Sequence, residues 1–161
     1  MMTTSRLKVL AAVLLALSLT LPAYTCAGYV APDGEKVGSI PRGADSSAYQ
    51  ATKIPHWALE SPNPRDTGFW LAVLAFTWPL PLLALRARRP QARLTRWLWW
   101  AEPALAVGSG YVVWAIGAIG DPAIGTYVAL AANAALIALW VRELFASRAA
   151  RAAPAAAPRT A

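Results

Sequence analysis

Four long apolar runs dominate this chain, and they constrain its fold more than any other feature. They cover about 7–25, 67–85, 97–119 and 122–141. A run of ~20 apolar residues, at 1.5 Å per helical residue, matches a hydrocarbon core of ~30 Å. In lipid such a run must be helical, because only a helix or a closed barrel satisfies its own backbone there. The sequence therefore predicts an all-α fold: a polytopic membrane protein, a bundle of four transmembrane helices with one long outer loop at 26–66. Residues 1–145 form a single transmembrane domain in this reading, and 146–161 form a disordered cytoplasmic tail rich in Ala, Pro and Arg. Composition agrees, since 57% of the residues are hydrophobic and 14% charged, against about 25% charged in a soluble domain.

Breakers punctuate the runs. The outer loop holds Pro32, Pro41, Pro55, Pro62 and Pro64 with Gly28, Gly34, Gly38 and Gly43 among them, a spacing that leaves little room for regular elements. In the second run, Pro79 and Pro81 remove backbone bonds to the carbonyls of Ala75 and Thr77 and should bend the helix. Such a bend is tolerated where a neighbour covers the freed carbonyls. Between the third and fourth runs, Gly120, Asp121 and Pro122 suggest a tight turn, with Asp121 as N-cap and Pro122 as first helical residue.

The formal net charge is +7. The cations flank apolar runs, which makes topology a better account of them than nucleic acid. Eleven lysines and arginines fall on one side of the proposed topology and four, Lys36, Arg42, Lys53 and Arg65, on the other. The positive-inside rule then places both termini in the cytoplasm of what composition suggests is a bacterial membrane. Trp97, Trp99, Trp100 and Trp140 fall at the inner interface, and Tyr24, Phe69, Trp70 and Tyr127 at the outer one. The first run also admits reading as a cleaved signal peptide, although Thr25-Cys26-Ala27 is a weak cleavage site and Cys26 a weak lipobox.

Few residues offer chemistry. Glu102, about 8 Å along the axis from Trp97, is an acid inside an apolar run and a functional candidate by default. The plainer reading pairs it with Arg96 or Arg93 in the headgroup zone. Asn133, near the middle of the fourth run, is expected to hydrogen-bond across to another helix. Ala104 with Gly108, Ala106 with Gly110, and Gly125 with Ala129 are spaced by four and mark helix-packing faces. The cluster Arg86, Arg88, Arg89, Arg93 and Arg96 fixes topology and suits anionic lipid.

Other signatures fail. Gly108-Ser109-Gly110 resembles a nucleophile setting, but a serine needs a base within reach, and the one histidine, His56, falls in the outer loop. His56 with Glu60, Asp45 and Asp33 is a weak metal set. The single cysteine allows no CxxC pair. No catalytic residue, metal or cofactor is expected.

Three functions remain. The first is a non-enzymatic accessory or assembly subunit, its partners being the lipid bilayer and a membrane protein or a second copy of itself. The second is a small transporter or channel component using Glu102 and Asn133. The third is a membrane enzyme with an outer-loop site at His56 and Glu60.

Overall fold

A computed structural model describes residues 3–59, 65, 67–88 and 93–152. Its elements are α1 (Thr4–Ser18), β1 (Pro22–Val30), β2 (Lys36–Val37), a 3-10 turn (Ser46–Ala48), β3 (Gln50–Trp57), α2 (Thr67–Thr77), α3 (Pro79–Arg88), α4 (Arg93–Gly117), β4 (Asp121–Pro122) and α5 (Ile124–Ala152).

The all-α expectation is overturned. Among the described residues five helices are joined by a four-stranded antiparallel sheet, in which β1 lies between β2 and β3 and also pairs with β4. Among the described residues one helix, α5, is long and apolar enough to cross a membrane, and the bent pair α2–α3 passes the same test if taken as one span. This does not amount to four spanning helices. At 15 residues, α1 covers about 22 Å at 1.5 Å per residue, short of the ~30 Å hydrocarbon core. In α4, Glu102 and Pro103 interrupt the apolar run.

The sheet occupies the stretch read as an irregular loop. Its breakers lie mostly outside the strands. Gly34 and Gly43 sit in connections with φ of 89° and 88°, values that glycine adopts without a Cβ penalty. Pro55 lies within β3, but β3 is an edge strand, where proline need not break the ladder. Between the breakers, aromatic and β-branched residues (Tyr24, Thr25, Tyr29, Val30, Thr52, Ile54, Trp57) favour a pleated strand. The β1–β3 register runs from Pro22 opposite Trp57 to Val30 opposite Gln50, with an irregularity at Ala23.

That irregularity ties the sheet to the helices. The Ala23 carbonyl accepts from the Ala123 amide at 2.9 Å and from the Thr126 hydroxyl at 2.6 Å. Two boundaries move accordingly. The first apolar run ends its helix at Ser18, and its remainder enters β1. Asp121 and Pro122 form β4 against Thr25 and Tyr24, and they do not cap α5, which begins at Ile124. At its other end α5 continues to Ala152, into the stretch expected to be disordered, while 153–161 lie outside the described residues.

The break between α2 and α3 is a 51° bend. Pro79 has no N–H for the Ala75 carbonyl, and the Ser109 hydroxyl of α4 donates to that oxygen at 2.5 Å. The serine of the Gly-Ser-Gly sequence thus covers a carbonyl that a proline freed. Around this contact the core gathers Leu15 of α1, Phe76 of α2, Val113 of α4, and Ala129 and Leu136 of α5.

Candidate functional site

The principal concentration of buried charge lies toward the ends of the helices remote from the sheet. Lys8 enters from the second turn of α1, Arg86 from the last turn of α3, Glu102 from α4 and Glu143 from α5. Lys8 and Glu102 are among the most buried side chains, at 1% and 2% exposure. The Lys8 ammonium donates to Glu102 Oε1 at 2.7 Å and to Glu143 Oε2 at 2.8 Å. Arg86 Nη1 donates to Glu102 Oε2 at 2.8 Å. Both Glu102 oxygens are therefore engaged by cations from two other helices. Two cations and two carboxylates balance, which is what allows the group to be buried.

Tryptophans brace the fourth member. Trp99 Nε1 lies 3.3 Å from Glu143 Oε2, and Trp140 Nε1 donates to the Trp99 carbonyl at 2.9 Å. The rings of Trp99 and Trp140 are 5.3 Å apart, and Trp100 meets Trp99 edge-on at 4.7 Å. A half-open cavity of about 470 Å³ adjoins the network, lined by Ser5, Lys8, Arg86 and Glu143 with apolar residues of α1 and α3. Arg86 Nη2 is buried with no hydrogen-bond partner among the described residues.

Sequence reasoning singled out Glu102 but paired it with Arg96 or Arg93. The partners described are Lys8 and Arg86. In the sequence Lys8 counts only as one of the cations flanking an apolar run and Trp99 only as an interfacial ring, and Glu143 stands out for nothing. The available signal was one lysine and one acid, each enclosed by apolar neighbours toward the same end of their helices. Of the arginine cluster, Arg86 turns inward to Glu102 while Arg88 is exposed. Arg93 and Arg96 begin α4, and Arg89 lies outside the described residues.

Asn133 is buried, but its amide donates to the Ala129 carbonyl one turn back at 3.2 Å and not to another helix. Its Oδ1 has no partner among the described residues. Ten residues separate it from Glu143, about 15 Å along α5, so it stands at a different level from the ionic network.

The small residues divide. Ala129 is fully buried. A Cβ on Gly125 would come within 2.6 Å of the Pro22 carbonyl and 2.9 Å of the Leu21 carbonyl. Gly108 and Gly110 have nothing within 4 Å of a Cβ position. Ala104 and Gly108 are exposed and line an apolar groove between α2 and α4, together with Leu74 and Trp78.

His56 lies on β3, stacked on Tyr24 at 5.1 Å and 12°, and Glu60 lies outside the described residues. No group of three His, Cys, Asp or Glu residues able to hold a metal occurs among the described residues. Cys26 is a free thiol on β1. Comparison with protein families, with curated proteins and with solved structures finds no match to this chain.

Proposed function

We propose that the chain is a multi-pass membrane protein with a non-enzymatic role, an accessory or assembly subunit that engages a partner within the bilayer. The observation that carries this reading is the inversion of polarity in the helical layer. Large apolar side chains face outward on the helices, among them Leu74, Val107, Tyr111, Trp114, Ile124 and Tyr127, while Lys8 and Glu102 are turned inward and paired. Soluble monomers rarely expose contiguous apolar patches beyond a few hundred Å², whereas lipid favours such a surface. In this reading α5 and the bent α2–α3 pair supply the apolar length to span the membrane, and α1 and α4, shorter or interrupted, run between the same two ends packed against them. Arg86, Arg88, Arg142 and Arg148 lie toward the end away from the sheet, and the positive-inside rule puts that end, with both termini, in the cytoplasm. The sheet, with Lys36, Arg42 and Lys53, lies outside.

The test is purification from native membranes in a mild detergent, with mass spectrometry of whatever accompanies the chain. A stoichiometric partner or a defined homo-oligomer supports the proposal. A monomer that purifies alone overturns it.

A second reading, a small transporter or channel component, is favoured by the cavity beside Lys8, Arg86 and Glu143, the groups that pair with or adjoin Glu102. It predicts that Glu102→Gln abolishes a proton- or cation-coupled flux in reconstituted vesicles while the fold persists. Asn133, at another level of α5, is not expected to act in the same step.

A further inference from the structure

We propose that α3 is a hinged strap that swings about Pro79 and is latched over the buried Lys8–Glu102 pair by Arg86. This goes beyond both readings above and stands without either. The hinge lies in the backbone. The Trp78 amide still donates to the Leu74 carbonyl at 3.0 Å, which carries the ladder of α2 up to the break. Pro79 and Pro81 then supply no amide to continue it. The helices on either side are bent by 51°, and the Ala75 carbonyl is bonded sideways by the Ser109 hydroxyl of α4. Across such a break few torsions join the two helices, and hinge motions are absorbed at positions of this kind.

Beyond the hinge α3 is lightly held. Of its ten residues only Pro79, at the hinge itself, and Leu82 are buried. On the side of α1 it borders the half-open cavity of about 470 Å³, so packing does not clamp it there. Among the described residues one polar side-chain contact ties it to another helix, Arg86 Nη1 to Glu102 Oε2 at 2.8 Å. That latch is single: Nη2 is buried without a partner among the described residues, where a guanidinium facing a carboxylate can make two bonds. By contrast α1 brings Lys8 to two carboxylates and buries Ala11, Ala12 and Leu15. Segments with few buried contacts are the ones that open locally. Seven residues place Arg86 about 10 Å from Pro79, so a rotation of roughly 15–20° moves it about 3 Å, enough to seat a water between guanidinium and carboxylate. A swing outward from the bundle widens the cavity and gives water a route to Lys8 and Glu102, which are 1% and 2% exposed with the strap in place.

The experiment measures distances by electron paramagnetic resonance on the full chain in mild detergent, with spin labels on cysteine pairs in a Cys26→Ala background. One pair, Arg88→Cys with Ala146→Cys, reports α3 against α5. A second, Arg6→Cys with Ala146→Cys, reports α1 against α5, and all three positions are exposed. Releasing the latch with Arg86→Met should broaden the first distance distribution and lengthen its mean by about 3 Å or more, since Arg88 stands about 13 Å from the hinge. The second pair should not change. Adding Pro79→Ala, which returns an amide to the helical ladder, should reverse most of the lengthening. An unchanged distance between α3 and α5 in Arg86→Met overturns the latch. Equal lengthening in the pair between α1 and α5 overturns it as well, because the whole bundle has then loosened. Lengthening that persists undiminished with Pro79→Ala overturns the hinge. A chain that fractionates as soluble removes the membrane reading and leaves this test intact.

Discussion

Replacing Lys8 with Met removes one ammonium from two carboxylates while keeping most of the side-chain volume. Breaking a buried ion pair by deleting one partner costs about 3–5 kcal/mol, because the other charge is left uncompensated. The surroundings of Lys8 point to the low end of that range. Glu102 keeps Arg86, and Glu143, whose side chain is 31% exposed, keeps Trp99 and some solvent. We therefore expect a loss of roughly 3 kcal/mol. For a chain of this size, 1 kcal/mol moves the Tm by about 2–4 °C, so Lys8→Met should melt about 6–12 °C below wild type. The assay is thermal unfolding in mild detergent, followed by far-UV circular dichroism and by fluorescence of the eight tryptophans. The pairing itself is tested by a cycle. Glu102→Leu alone should cost at least a similar amount, since it leaves both Lys8 and Arg86 short of an acceptor. The double variant Lys8→Met with Glu102→Leu should lose clearly less than the two single losses together, because an apolar pair of similar volume is often no worse than a buried ion pair. A Lys8→Met protein within about 1 kcal/mol of wild type, or strictly additive losses, would refute the view that this network holds the helices together.

Other consequences follow from single contacts. Ser109→Ala should cost about 1 kcal/mol, and the cost should shrink in a Pro79→Ala background, where residue 79 regains an N–H for the Ala75 carbonyl; a cost independent of Pro79 contradicts the assignment. Gly125→Ala should destabilise by about 1–3 kcal/mol through its clash with the Pro22 and Leu21 carbonyls, whereas Gly108→Ala, with open space at its Cβ, should stabilise by up to ~1 kcal/mol; both are read as shifts in Tm. Asp45 accepts from the Ser47 hydroxyl at 2.8 Å and amide at 2.9 Å, and these bonds hold its carboxyl below the ordinary value of 3.8. Its folded value is depressed, so the cap is intact above pH 3.8 and is lost only as pH falls through the lower folded value. The amide signal of Ser47 should stay unchanged on acidification to pH 4 and shift below it.

Much of the helical layer was legible because hydrophobic run length and proline chemistry are local properties. The bend at Pro79 follows from its missing N–H, and the need for a neighbouring donor follows from the bend; only the identity of that donor, Ser109, required the fold. The sheet was not legible because Pro32, Pro41, Gly34 and Gly43 were weighed against strands in general, when they stand between strands. The segment from Tyr24 to Val30 carried a strand signal in Tyr24, Thr25, Tyr29 and Val30 that its attachment to an apolar run obscured. The ionic network was beyond local reading in another way. Lys8 is 94 residues from Glu102 and 135 from Glu143, and no periodicity links positions so far apart. What the sequence does hold is a cost: a lysine and a glutamate enclosed by apolar neighbours each need a partner, and each is the other's.

Membrane placement is tested most directly by thiol accessibility, because Cys26 is the single cysteine. In a Cys26→Ala background, one cysteine replaces Ser39, exposed on the sheet side, or Ala146, exposed near the end of α5. Intact bacterial cells expressing each variant are treated with a membrane-impermeant maleimide before and after permeabilisation. The account predicts that Ser39→Cys labels in intact cells and that Ala146→Cys labels only once the membrane is opened. Equal labelling of both positions before permeabilisation, or protection of both until it, would contradict a helical layer that crosses the bilayer with the sheet outside.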